Sequence, residues 1–180
     1  MVSRKTDVRL IALVAVMVAV TCVFTLLVRI PMAPTRGYIH LGDVAATFSA
    51  LAFGPWLGFV IAGGGTALAD LVGGYPHWAP LTLIIHGLQG FLAGYVARLG
   101  RHRPGAMLLG AFLGEVVVVL GYFLVEIPLY GLGPALTELP GNSVQGAFGL
   151  LGMPLLYLVA RAYPAVLEYG RGRVEHRSHH

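Results

Sequence analysis

Few of the residues able to do chemistry stand inside apolar sequence, and those few are clustered. His40, Asp43, Asp70, His86, Gln89, Glu115, Tyr122, Glu126, Asn142 and Gln145 lie within or at the edges of long apolar runs. An ionisable group at membrane depth costs from about 2.5 kcal/mol upward, so each one marks a functional position by default. Imidazole and carboxylate also ligate metals, and an intramembrane metal-dependent enzyme using His40, His77 and His86 is the competing reading, though their spacing matches no strong zinc signature. No H-E-x-x-H is present, and neither Ser49 nor Ser143 sits in a G-x-S-x-G elbow. Cys22 is the single cysteine, which excludes an intramolecular disulfide and a Cys-based zinc cluster. Beside that alternative, the reading preferred is hydrogen bonding and stacking on a small ligand, with no catalysis and no cofactor expected.

The elements that must position these groups are membrane helices. Apolar types make up 57% of the 180 residues and charged types 11%, against about a quarter charged in a soluble domain, and the mean hydropathy is +0.77. Six stretches are read as spans: Arg9 to Arg29, His40 to Gly54, Trp56 to about Val72, about Leu81 to Ala97, about Ala106 to Ile127, and Asn142 to Ala160. Leu129 to Gly141 reads as a Gly/Pro-rich loop. The division is residues 1–8 as an amino-terminal cytoplasmic segment, 9–163 as one six-helix domain, and 164–180 as a polar cytoplasmic tail. The first run exceeds a typical signal-peptide core and no A-x-A follows it, so it is expected to be retained. Lys5 and Arg4, 9, 98, 101, 103, 161, 171, 173 and 177 fall on one side of a six-span topology, with only Arg29 and Arg36 on the other. This asymmetry predicts both termini in the cytoplasm of a multi-pass cell-membrane protein. The +4 net charge carries no aromatic interleaving and is no nucleic-acid footprint.

With that topology the polar groups gather in one leaflet. His40 and Asp43 open the second helix, Asp70 closes the third, His86 and Gln89 form an i, i+3 pair in the fourth, and Tyr122 and Glu126 end the fifth. Glu115, Tyr122 and Glu126 project within about 40° of one another at about 100° per residue. Asn142, Gln145, Gly149 and Gly152 share a face of the last helix, polar outside and small below. Tyr38, Tyr75, His77, Trp78 and Tyr130 supply rings above them, although Tyr75 and Trp78 read equally well as interfacial belt residues. Asp43 reads better as a helix cap than as a ligand contact, and Asn142 is also a good N-cap. Glu115, near mid-membrane, is expected in a helix–helix hydrogen bond. Gly90-x-x-x-Gly94 and Gly110-x-x-x-Gly114 permit close packing, the Gly63-Gly64-Gly65 run is expected to thin or distort the third helix, and Ala15 and Ala19 form a small ridge on a first helix that lacks pocket residues.

Energy coupling is missing. There is no G-x-x-x-x-G-K-[ST] and Lys5 is the only lysine; no inverted repeat relates the halves, so any pump must lie in a partner. The runs Gly37-Tyr38-Ile39-His40-Leu41-Gly42-Asp43, Ala67-Leu68-Ala69-Asp70 through Tyr75-Pro76-His77-Trp78-Ala79-Pro80, Thr82-Leu83-Ile84-Ile85-His86-Gly87 and Pro140-Gly141-Asn142-Ser143-Val144-Gln145-Gly146 resemble the substrate-binding S component of energy-coupling-factor (ECF) transporters. The similarity covers essentially the whole chain and lies nearest the branch for vitamin precursors such as hydroxymethylpyrimidine, with pyridoxine- and riboflavin-type members beside it.

The resemblance implies an outward pocket built from the first loop, the third–fourth loop and the last three helices. It also implies docking on a membrane coupling protein (T component) that rides on two ABC ATPases, with the Ala15 and Ala19 ridge matching the family's docking motif. His86 and Gln89 stand where relatives are expected to carry a Lys and a Glu. The site expected is then Tyr38, His40, Asp70, Tyr75, Trp78, His86, Gln89, Tyr122, Glu126, Asn142 and Gln145, with hydrogen bonding assigned to His86, Gln89, Glu126, Asn142 and Gln145 and stacking or lid duty to Tyr38, Tyr75, Trp78 and Tyr122.

Overall fold

The computed structural model describes residues 8–167; residues 1–7 and 168–180, with most of the expected terminal segments, lie outside the described residues. The elements are α1 (Val8–Leu27), a hairpin of β1 (Arg29–Met32) and β2 (Gly37–His40), then α2 (Gly42–Phe53), α3 (Pro55–Gly73), α4 (Ala79–Leu99), α5 (Pro104–Tyr130), α6 (Leu132–Gly149) and α7 (Gly152–Ala162). Five stretches are long and apolar enough to cross a membrane, the last being α6 and α7 together over Leu132–Ala162. The sixth helix of the bundle is α2, 12 residues long and buried at every position but Val44. It replaces the longer second span expected from His40: at about 1.5 Å per residue it is too short to cross alone, and the chain before it is β-strand.

The hairpin was not foreseen. Its antiparallel register pairs Arg29 with His40 and Met32 with Gly37, and Arg36, in the left-handed region at φ 53°, closes the turn. The second correction concerns Leu129 to Gly141, expected to be a loop and found helical on both sides of a single break. Gly131, at φ 94°, makes that break, a conformation that glycine adopts without steric cost. Pro134 lies in the first turn of α6, where the missing N–H leaves no hydrogen bond unmade. Nearly three turns of α6, from Leu132, therefore precede the expected start at Asn142, and they carry Glu138.

Glycines set the helix spacing. A Cβ on Gly58 of α3 would stand 2.8 Å from the Gly90 carbonyl of α4 and 2.9 Å from Ala50 Cα of α2. Gly63 faces Gly87 of α4, and Gly65 faces Thr21 of α1, so the glycine run serves two neighbours and α3 continues through it unbroken. On α5, Gly110 and Gly114 lie against Ala93 and Gln89 of α4. The apolar core, with Phe48, Leu51, Phe53, Ile61, Met107 and Leu156, occupies the end of the bundle where α2 finishes. Val166 also packs there. The opposite end, beneath the hairpin, is polar. Helix α1 has three buried residues, Thr21, Cys22 and Thr25, and leaves Ala15 and Ala19 exposed.

Replacing Gly58 by Val should cost about 1–3 kcal/mol through forced separation of α3 from α4, whereas Gly105→Ala, where a methyl meets nothing within 4 Å, should be neutral. Thermal unfolding of both variants in detergent checks this; equal melting temperatures would refute close packing at that crossing.

Candidate ligand-binding site

Eleven residues from the hairpin, α3, the start of α4, α5 and α6 enclose one cavity: Thr35, Gly37, Tyr38, His40, Asp70, Trp78, Thr82, Tyr122, Glu126, Glu138 and Asn142. The space left between them is about 30 Å³, room for two or three waters. Seven of the expected site residues reach this wall: Tyr38, His40, Asp70, Trp78, Tyr122, Glu126 and Asn142.

The other four stand behind it. Tyr75 packs its ring 4.7 Å from that of Tyr38. His86, Gln89 and Gln145 are buried and join a second polar layer under the cavity. There the His40 backbone N–H donates to Gln145 Oε1 at 2.8 Å and Gln145 Nε2 donates to Asp43 Oδ2 at 2.8 Å. Asp43 Oδ1 lies 2.9 Å from His86 Nδ1, a nitrogen that is also 2.8 Å from Gln89 Oε1. Gln89 Nε2 in turn donates to Glu115 Oε1 at 3.0 Å, which also accepts from the Thr47 hydroxyl at 2.8 Å. With two acceptors facing Nδ1, the His86 proton belongs on that nitrogen.

Two capping expectations fall here. Asp43 is fully buried and makes no cap bond; it pairs with His86 and Gln145 across the bundle. Asn142 lies inside α6, three turns after its start. Glu115 does make the helix–helix hydrogen bonds expected of it, with its carboxyl against Gly149 and Gly146 of α6, glycines that admit it because they lack a Cβ.

Sequence reasoning missed Thr35, Thr82 and Glu138. The last two had a signal: Glu138 precedes Asn142 by four residues and Thr82 precedes His86 by four, so each extends by one turn a polar stripe already recognised. Thr35 donates to Glu138 Oε1 at 2.7 Å, Tyr38 donates to Asp70 Oδ1 at 2.6 Å, and the Thr82 and Tyr122 hydroxyls are 3.0 Å apart. The hairpin is thereby tied to α3 and α6 at its turn and its second strand. Burial and the neighbouring Asp70 push the Tyr38 phenol up, so it remains a donor. Six buried side-chain atoms among the described residues lack a hydrogen-bond partner: Asp70 Oδ2, Glu126 Oε2 and Trp78 Nε1 on the cavity wall, and Asp43 Oδ1, His86 Nε2 and Glu115 Oε2 in the layer behind it.

Of the histidines that a metal enzyme would need, His40 and His86 are neighbours, with ring centroids 5.4 Å apart. His77 is exposed and packs between the Tyr75 and Trp78 rings. Asp43, not His77, completes the cluster, and its contacts are the hydrogen bonds just described. His40 Nδ1 accepts the Gly42 N–H at 3.1 Å, which leaves its proton on Nε2.

A bundle of apolar helices with a polar cavity under a hairpin at one end is the architecture of a multi-pass membrane protein that holds a small ligand. The family model for the S component of ECF-type riboflavin transporters matches residues 5–162, and the chain belongs to that family. It is 34% identical over 146 residues to the thiamine precursor transporter HmpT of Lactococcus lactis subsp. cremoris, covering 81% of this chain and 83% of that protein. It is also 42% identical over 147 residues to an uncharacterized protein of the gap 3′ region of Pyrococcus woesei, covering 81% and 98%. The chain is thus a plasma-membrane transport protein, the S component of an ECF system, and not an enzyme.

Burial lowers the His40 imidazole to about 4, with the Asp43 charge opposing the shift and His86 adding to it. The unfolded chain takes up this proton near 6.5 and the folded one near 4, so the stability at stake is complete above about pH 6.5 and is lost as pH falls towards 4. The loss is on the order of 3 kcal/mol. Melting temperatures in detergent between pH 7 and 4.5 should fall less steeply for His40→Gln than for the parent; parallel curves would contradict a neutral buried His40.

Proposed function

We propose that the chain captures a small heteroaromatic vitamin or vitamin precursor at the outer face of the membrane and delivers it inward when docked on a T component driven by two ABC ATPases. Hydroxymethylpyrimidine is the first candidate ligand, with pyridoxine or riboflavin next. The observation that carries the reading is the set of orphaned atoms around one cavity: Asp70 Oδ2, Glu126 Oε2 and Trp78 Nε1. Buried polar groups are hydrogen-bonded in all but a few cases, so these atoms mark where the donors and acceptors of a ligand belong.

The rings of Tyr38, Trp78 and Tyr122 supply flat apolar walls suited to an aromatic ring. Asn142 and Glu126 bond the ligand, His40 offers its Nε2–H, and His86, Gln89 and Gln145 hold that wall from behind. The ligand class is consistent with the printed role of the lactococcal relative. A cavity of about 30 Å³ cannot admit such a ring until its cover moves, and the hairpin and the segment around Tyr75 and Trp78 form that cover. Both termini are assigned to the cytoplasm. The exposed Ala15 and Ala19 on α1 are assigned to the T component, since small residues let a partner helix approach closely.

Protein purified in mild detergent from cells grown in rich medium, then denatured, should release a near-stoichiometric pyrimidine, pyridine or flavin detectable by mass spectrometry. An empty protein that also gives no thermal shift with a panel of such compounds would defeat the capture reading. In cells, Ala19→Trp should abolish uptake while the isolated subunit still binds ligand; loss of binding as well would break the assigned division of labour.

A further inference from the structure

A second cavity lies between α5 and α6, apart from the hairpin. It runs from Phe112 to Leu120 along α5 and from Ser143 to Leu150 along α6, with a volume of about 350 Å³ against about 30 Å³ for the ligand cavity. At about 1.5 Å per residue its length is about 12 Å. Phe112 and Leu120 are 53% and 50% exposed on a helix apolar enough to span the membrane, so this groove opens on the hydrocarbon of the bilayer. Of the residues that line it, only Glu115 and Ser143 have polar side chains.

Ser143, at one end, has already donated its hydroxyl to the Leu139 carbonyl at 2.7 Å. Glu115 has not exhausted its bonds. It is 4% exposed; its Oε1 accepts from Thr47 and Gln89, whereas its Oε2 has no partner. That oxygen stands beside Gly146, itself a lining residue, 3.6 Å from where a Cβ would lie. No side chain at 146 therefore separates it from the groove, and the bilayer core holds no water to satisfy it. Glu115 and Gly146 lie near the middle of the two helical walls, with apolar side chains on either side: Phe112 and Leu150 towards one end, Val119 and Leu120 towards the other.

We infer that this groove is a second binding site, entered from the bilayer, for an apolar secondary alcohol, a hydrocarbon with one hydroxyl near its middle. A hydroxyl both donates and accepts, so it pairs with Glu115 Oε2 whether or not that oxygen carries a proton, and the two hydrocarbon arms lie along the apolar walls. A plain hydrocarbon fills the same space and leaves the oxygen orphaned. A membrane-spanning helix of a partner is the poorer occupant, because it packs along a seam approaching 30 Å and the groove is about two turns long. The site is independent of the capture reading, although it meets the same carboxyl that holds Gln89 behind the ligand cavity.

Full-length protein in lipid nanodiscs should be treated with dicyclohexylcarbodiimide, an apolar reagent that adds to a carboxyl: the carboxyl oxygen bonds to the central carbon, the proton passes to a nitrogen, and nothing leaves. Peptide mass mapping should find Glu115 modified, while a charged, water-soluble carbodiimide should leave it untouched. Ala147→Trp and, separately, Val119→Trp fill the groove from opposite walls and should each abolish this labelling, with melting temperatures close to the parent's to show that the variants fold. In the parent, 5-nonanol should slow labelling about fivefold more than nonane does, the worth of one hydrogen bond. Unmodified Glu115, its modification by the water-soluble reagent, labelling that persists in both folded variants, or equal protection by the alcohol and the alkane would each overturn the inference. Protection by neither compound would overturn it as well and would leave the groove to a partner helix.

Discussion

The structure turns on one buried carboxylate. Asp43 is fully shielded on a short apolar helix, where an unpaired charge would be prohibitive, and its two oxygens reach α4 through His86 and α6 through Gln145. His86 passes the connection to Gln89, and Gln89 passes it to Glu115 on α5. Four helices and the hairpin are thereby held in one register at the polar end of the bundle. Buried networks of this kind are costly when half satisfied, so the contacts that secure the fold also dictate where the second strand and the His40 ring must stand. The cavity above inherits its geometry from this layer.

Close helix approach is the other half of the same arrangement. Hydrogen bonds of about 3 Å across a bundle require backbones that come together, and the glycines at positions 58, 63, 87, 90 and 114 allow it between α3, α4 and α5. Glu115 illustrates the coupling: its carboxyl fits only because residues 146 and 149 of α6 lack side chains, and that fit places Thr47 and Gln89 on the same oxygen. Small residues and buried polar ones are therefore two expressions of a single packing solution.

Much of this was legible in the residues, and what was not has identifiable causes. Hydropathy located five spans because length and apolarity are the signals to which a bilayer responds. The i, i+3 and i, i+4 spacings of His86 with Gln89 and of Tyr122 with Glu126 identified the inward faces. Periodicity reports a face and not a depth, however, so His86, Gln89 and Gln145 were expected on the wall and stand one layer behind it. The hairpin escaped notice because each strand is four residues long and Pro31 interrupts the first. Pro134 and Pro140 suggested a loop, yet Pro134 stands in the first turn of α6, where proline is tolerated, Pro140 is accommodated inside the same helix, and the positive-φ glycine at 131 makes the break. Reading that segment as a loop hid Glu138.

Polarity in the bundle is one-sided. Among the described residues the carboxylates are confined to the hairpin end and to one mid-bundle glutamate, while the opposite end is closed by Phe48, Leu51, Met107 and Leu156. Among the described residues no polar seam crosses from one end to the other. Helix α1 is largely unburied and bears exposed alanines at 15 and 19, a face open to lipid or to another helix.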